Sequence, residues 1–336
     1  MSIMIKTLIS RISLSDKIVK EENNKKFFSL LSTTEYQNML STLQNYLLIE
    51  REKYSNDSDF YQNVASQFVQ KYIPQIIRDY SLFLSEETIQ KLVNIQNGYG
   101  LKIFNPGEAV SQGFVGVDEK GNPRGDVGAF ARPDLGIIGF TPANESSKID
   151  FNNLDIEGLY KRFPGLNGNY DLTKLSIDEI KKVITIENAK AMLCSMIHET
   201  FHLLICVKRD ERFYWNENGE IKSKLTSGGT IIDEGLVDKF AIEFAREHGF
   251  YHLPGRSYFD YVKFGDEIEK RLGSQSFNEL AFNSSYYELL GNALTEEEYK
   301  YYQINERKKY LQGRGLNDAE VILNDDDNLS LNSVTR

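Results

Sequence analysis

Residues 198 to 202 read His-Glu-Thr-Phe-His, which places two of the four histidines of the chain four positions apart with a glutamate beside the first. On an α-helix, positions i and i+4 share a face and stand about 6 Å apart along the axis, so two imidazoles can converge on one ion. Glu199 then faces the same cleft, and the HExxH pattern suits zinc supplied with its own general base. The plain alternative is a helix whose histidines make ordinary hydrogen bonds. Its flanks argue otherwise: Ala189, Ala191, Met192, Leu193, Met196, Ile197, Phe201, Leu203, Leu204, Ile205 and Val207 run almost round the helix, so the segment is expected to be largely buried. Two histidines and a carboxylate on a buried helix are costly without a partner that satisfies them.

A catalytic zinc takes three protein ligands and keeps a position open. The best-placed third ligand is Glu234, in "GGTIIDEGLVDKFAIEFAREHGF", where Thr230 with Asp233 makes a capping pattern, apolar residues recur at helical spacing and Gly249 stops the run. Asp238 shares a face with Glu234, and the pair can divide its duties: Glu234 ligates, while Asp238 accepts the outer N–H of a ligating imidazole and fixes its tautomer. Taken alone, such an acidic pair reads as a solvated helix face.

HExxH followed on a second helix by "DEGLVDKF" resembles the gluzincin group of zinc metallopeptidases. The resemblance implies His198, His202 and Glu234 as zinc ligands, Glu199 as general base and Asp238 as the residue behind the ligands. It also implies an α+β, zincin-like fold, with a small mixed sheet packed on the active-site helix and the remainder mainly helical. The step from His202 to Glu234 is longer than in thermolysin-like members, and the excess reads as a hairpin, "RFYW" and "EIKSKL" about an Asn218-Gly219 turn. Val237 stands where a small Ala is usual, and the Gly-rich exopeptidase motif of the aminopeptidases has no match.

The expected chemistry is hydrolysis of a peptide bond in a peptide or protein substrate by an endopeptidase. Zinc (Zn2+) lowers the pKa of its water toward ~7, and Glu199 takes the proton and returns it to the leaving amine. An oxyanion donor is also needed. His248, His252, Tyr258, Tyr261, Tyr286 and Tyr287 form the pool, with Tyr286 and Tyr287 preferred because they lie far enough along the chain to return to the cleft. An aminopeptidase is one alternative. A non-catalytic zinc-binding helical interaction protein is the other, although a purely structural site has no use for Glu199.

The elements that must position these residues follow from texture. Residues 1–97 read as a helical region, with "STTEYQNMLSTLQNYLLIEREKY" and "SEETIQKLVNIQNG" apolar at three and four spacing and Gly98 as a stop. From 99 to 142, short β-rich runs between "DEKGNPRG" and "RPDLG" predict a small sheet of hairpins. A loop-rich connection leads to a Ser176 to Glu179 capping box opening the HExxH helix. Residues 98–312 thus form the expected metallopeptidase domain, and 313–336 a polar tail.

Composition narrows the partners. With 39 basic and 49 acidic residues the net charge is −10 and the cations are scattered, which disfavours nucleic acid. Neither a signal peptide nor a membrane-spanning run is legible, so no membrane partner is expected and the location is either cytoplasmic or reached by signal-peptide-independent export. Cys194 and Cys206, about 18 Å apart on one helix, cannot pair and read as small buried hydrophobes.

Overall fold

The computed structural model describes residues 34–114, 128–143, 146–167, 169–205, 211–217, 220–226, 231–250, 259–283, 286–302 and 320–322. They cluster into two compact units, Thr33–Leu203 with Phe244–Leu253, and Leu204–Glu243 with Pro254–Arg336. The architecture is α+β and mainly helical.

In the first unit the helical spacing of the N-terminal region yields α1 (Thr34–Arg51), α2 (Asp57–Tyr80) and α3 (Glu86–Gln96). Short polar side chains start two of them. Asn56 accepts the Asp59 N–H at 2.9 Å and Ser85 accepts the Thr88 N–H at 3.1 Å, satisfying donors a helix start leaves open. Gly98, in the left-handed region at φ 85°, follows α3 as the expected stop. α2 buries Phe60, Val64, Val69, Tyr72, Ile73 and Ile76 along one stripe.

The sheet differs from the run of hairpins expected. Strands β1 (Leu101–Ile103), β2 (Ala129–Arg132) and β3 (Ile137–Phe140) take the order β1-β3-β2. Only β2 and β3 form a hairpin, closed by "PDLG" with Gly136 at φ 63°. β1 joins β3 in parallel, Leu101 opposite Ile138, so the sheet is mixed. A Cβ at Gly139, on the central strand, would collide with the ring of Phe130 on the neighbouring strand. That ring lies across the glycine and stacks with Phe104 and Phe114, at centroid distances of 5.9 and 6.3 Å. The short helix α4 (Glu108–Ser111) precedes residues 115–127, so the "DEKGNPRG" punctuator lies outside the described residues.

The connection expected to be loop holds a helix, α5 (Ile156–Arg162), started by Asp155, whose carboxylate accepts the Gly158 N–H at 2.9 Å. Leu159, Phe163, Leu166 and Leu172 from this stretch bury themselves against Ile180, Val183 and Ile184. Those three belong to α6 (Ile177–Leu204), the HExxH helix, 28 residues long. Its predicted capping box is made. The Ser176 N–H donates to Glu179 Oε2 at 2.8 Å, and the Glu179 N–H donates to Ser176 Oγ at 3.3 Å.

The second unit contains the expected hairpin, β4 (Glu211–Glu217) and β5 (Glu220–Thr226), paired antiparallel so that Glu217 faces Glu220 across a two-residue connection. Within the segment expected to be a polar tail, β6 (Glu320–Ile322) pairs with β4, Val321 opposite Trp215. The helices are α7 (Ile231–His248), whose last turn belongs to the first unit, α8 (Phe259–Leu272), α9 (Ser274–Asn283) and α10 (Tyr286–Ala293). Phe240 of α7 packs between Phe277, ring on ring at 5.3 Å, and Phe282 at 5.0 Å. Arg271 closes the end of α8 on the buried Glu298 through two hydrogen bonds, 2.9 and 3.2 Å. Thr230, the expected cap of α7, lies outside the described residues. Among them, no helix is long and apolar enough to cross a membrane.

Candidate metal centre

Most of the burial inferred from the flanks of HExxH is present: Ala189, Met192, Leu193, Met196, Ile197, Phe201, Leu203, Leu204 and Ile205 are buried, whereas Ala191 is exposed and Val207 lies outside the described residues. Cys194 is buried and in no disulfide, and Cys206 lies outside the described residues. A helix this apolar could rotate about its axis without an obvious penalty unless its faces were told apart. Two contacts tell them apart. Thr200, about 200° round the helix from His198, is completely buried and lies 2.8 Å from the Tyr72 hydroxyl of α2. Phe201 is pinned between Tyr80, edge-on at 5.5 Å, and Phe244 at 6.1 Å.

With those faces committed, His198 and His202 turn the other way together. Their Nε2 atoms are 3.0 Å apart, with the rings 78° from coplanar. Nitrogens sharing a tetrahedral zinc at the usual bond length are about 3.4 Å apart. The pair therefore needs an adjustment of a few tenths of an ångström to share an ion. Glu234, on the first turns of α7, offers a third candidate atom, and one donor from each of His198, His202 and Glu234 lies within 4.8 Å of the others. None of the three side chains is exposed. This is the group, among the described residues, whose side chains could together hold a metal ion.

Glu199 is buried beside its histidine neighbour. Asp238, one turn beyond Glu234, retains only 1 % of its accessible surface, which removes the solvated-face reading of that acidic pair. The donor set is chemically coherent. Two imidazoles and one carboxylate suit a borderline ion such as zinc and account for three of its four tetrahedral positions, whereas calcium or magnesium would call for oxygen donors throughout.

One residue beyond Asp238, sequence reasoning passed over Lys239. Its ammonium is 2 % exposed and meets Glu269 at 2.7 Å and Asp266 at 3.1 Å on α8, together with Glu243 on its own helix. Burial alone would push this lysine down, but its hydrogen bonds to Glu243 and Glu269 outweigh that and hold it above the ordinary value. Gly265 leaves the room for its stem, since a Cβ there would approach Lys239 Cδ to 3.0 Å. The lysine thereby ties α7 to α8. The signal was legible in "GLVDKF": a cation between residues of a buried run must have partners.

Of the oxyanion candidates, His248 is engaged with Asp79 and packs on the Phe244 ring at 4.5 Å. His252 and Tyr258 lie outside the described residues; Tyr261 falls within α8 and Tyr286 and Tyr287 open α10, but their side chains lie outside the description. Compared with known protein families, curated proteins and solved structures, the chain matches none.

Proposed function

We propose that the protein is a zinc-dependent hydrolase of peptide bonds, an endopeptidase acting on a peptide or protein substrate, and that its fold is of the zincin type. The observation that supports this most directly is the convergence of His198, His202 and Glu234 with a buried carboxylate, Glu199, next to the first histidine. A site built only to hold the structure together would have no use for that carboxylate. Bound by these three residues, zinc would supply Lewis acidity, favouring ionisation of a water near neutral pH and polarising the scissile carbonyl.

The remaining work falls to the chain. Glu199, as a carboxylate, accepts the proton of the attacking water as the C–O bond forms, and its acid form then donates that proton to the amine nitrogen as the C–N bond breaks. Its burial supports this role, because a carboxyl removed from bulk water exchanges its proton with the reacting groups rather than with solvent. Asp238, held one turn from Glu234, would accept the outer N–H of an imidazole and so keep the inner nitrogen free to ligate.

The test pairs two measurements on the full chain: metal content of the purified protein, and cleavage of a random peptide library followed by mass spectrometry. One zinc per chain with internal cleavages abolished by Glu199→Gln supports the reading. Cleavage confined to the first residue of each peptide would instead mark an aminopeptidase. Stoichiometric metal with no hydrolysis would leave a metal-binding protein.

A further inference from the structure

The turn of α6 that carries His198 is braced from behind by a chain of two hydroxyls. Thr200 Oγ1 lies 2.7 Å from the Met196 carbonyl oxygen, and the Tyr72 hydroxyl lies 2.8 Å from Thr200 Oγ1 and 3.3 Å from the same carbonyl. Each hydroxyl has one hydrogen to give. Thr200 is placed to spend its own on Met196, the residue four positions back, so its oxygen accepts from Tyr72. The phenol keeps its proton because complete burial pushes its pKa up.

A threonine that donates to the carbonyl one turn earlier loosens and bends a helix at that turn. Here the turn is 196–200, which holds His198 and leads directly into His202. A bend or rotation confined to it changes where the two imidazoles point relative to each other. Tyr72 meets it with a rigid side chain, itself packed against Phe68, Phe244 and Phe250 at 5.0 to 6.5 Å. A phenol fixed by three rings is a poor partner for a helix that wanders and a good one for a helix that must not.

We infer that Tyr72 and Thr200 are positioning residues for the metal centre: the relay Tyr72 to Thr200 to Met196 sets the local geometry of α6 at which the histidine nitrogens converge. The inference rests on the metal-site reading above. It gives the N-terminal helices a part in the chemistry, although none of the proposed ligands comes from them.

Cobalt(II) is the probe, because its visible absorption reports coordination geometry. Tyr72→Phe, Thr200→Val and Thr200→Ser are made in the full chain, and cobalt affinity is measured by competition with a chromophoric chelator. Tyr72→Phe and Thr200→Val are expected to weaken cobalt binding about 2- to 10-fold, the equilibrium equivalent of one hydrogen bond, and to shift the visible bands. Thr200→Ser, which keeps the hydroxyl, restores both. The Tyr72→Phe, Thr200→Val double variant should be no worse than the weaker single, because the two side chains act as one chain.

Unchanged affinity and spectrum in both hydroxyl-deleted variants, whatever their melting temperatures, would overturn the inference while leaving the metal site standing. Failure of Thr200→Ser to restore the spectrum would overturn it as well. Wild-type protein that takes up no cobalt would overturn the metal reading and this one with it. Should Thr200→Val fail to fold, Tyr72→Phe decides the matter, since it removes one oxygen and keeps the ring that fills the core.

Discussion

His198 Nε2 lies 3.0 Å from His202 Nε2, a distance at which two imidazoles share a proton and a few tenths of an ångström short of one at which they share an ion. If they share an ion, Glu234 is the third donor that the described residues offer, and the proposed site needs all three. His198→Ala and Glu234→Ala are each expected to reduce bound zinc from one per chain to a trace after dialysis against a mild chelator, as read by atomic emission. Full occupancy in both variants would remove the site from this constellation.

In the proposed mechanism Glu199 does not hold the metal, so its replacement separates binding from turnover. Glu199→Gln should retain zinc and melt near the wild-type temperature while losing hydrolysis by ~10²-fold or more, the usual worth of a general base. Wild-type turnover in that variant would move the base elsewhere.

Asp238 calls for a polar replacement, because at 1 % exposure an alanine would leave a void. Asp238→Asn keeps the volume and removes the charge proposed to orient an imidazole, so zinc affinity is expected to fall ~10- to 100-fold. The melting temperature at saturating zinc should stay close to wild type. Equal affinities would reduce Asp238 to a buried structural acid.

The acid end of the stability profile should report Glu298. Burial pushes its carboxyl up, but the Arg271 guanidinium and the Thr295 N–H, 3.0 Å away, outweigh that, and its pKa sits below the ordinary glutamate value. The folded form is then the stronger acid. Its stabilisation is complete above the unfolded pKa near ~4.3 and is lost as pH falls through the lower folded value. Glu298→Gln should cost about 2–5 kcal/mol at pH 7, the range for breaking a buried pair. In urea titrations that gap should narrow below pH ~4; a gap that stays constant to pH 3 would mean the carboxylate contributes nothing as an anion.

What the sequence disclosed and what it withheld divide along the range of the interactions. The capping box of α6, the two-residue hairpin of β4 and β5, the stop at Gly98 and the HExxH face are all written within a few consecutive residues, where spacing maps onto geometry. The parallel pairing of β1 with β3 joins residues 37 positions apart at Leu101 and Ile138, and nothing local announces it. Seven-residue α5 is too short for periodicity to separate it from loop, so only Asp155 signalled it. The support behind the histidines is the extreme case. Tyr72 and Thr200 are 128 positions apart, and a threonine inside an apolar helix looks the same whether or not a phenol waits for it.

Gly139 lies under the ring of Phe130, with no room for a Cβ, and that ring continues into the stack with Phe104 and Phe114. The two strand positions therefore cannot vary independently: a side chain at 139 demands a small residue at 130, and an aromatic at 130 demands glycine at 139. HExxH arises in unrelated chains, because zinc chemistry rewards it wherever a helix can carry it. The coupled pair at 130 and 139 depends instead on the pairing of these two strands. Covariation at those two positions therefore separates common descent from convergence more sharply than the metal motif can.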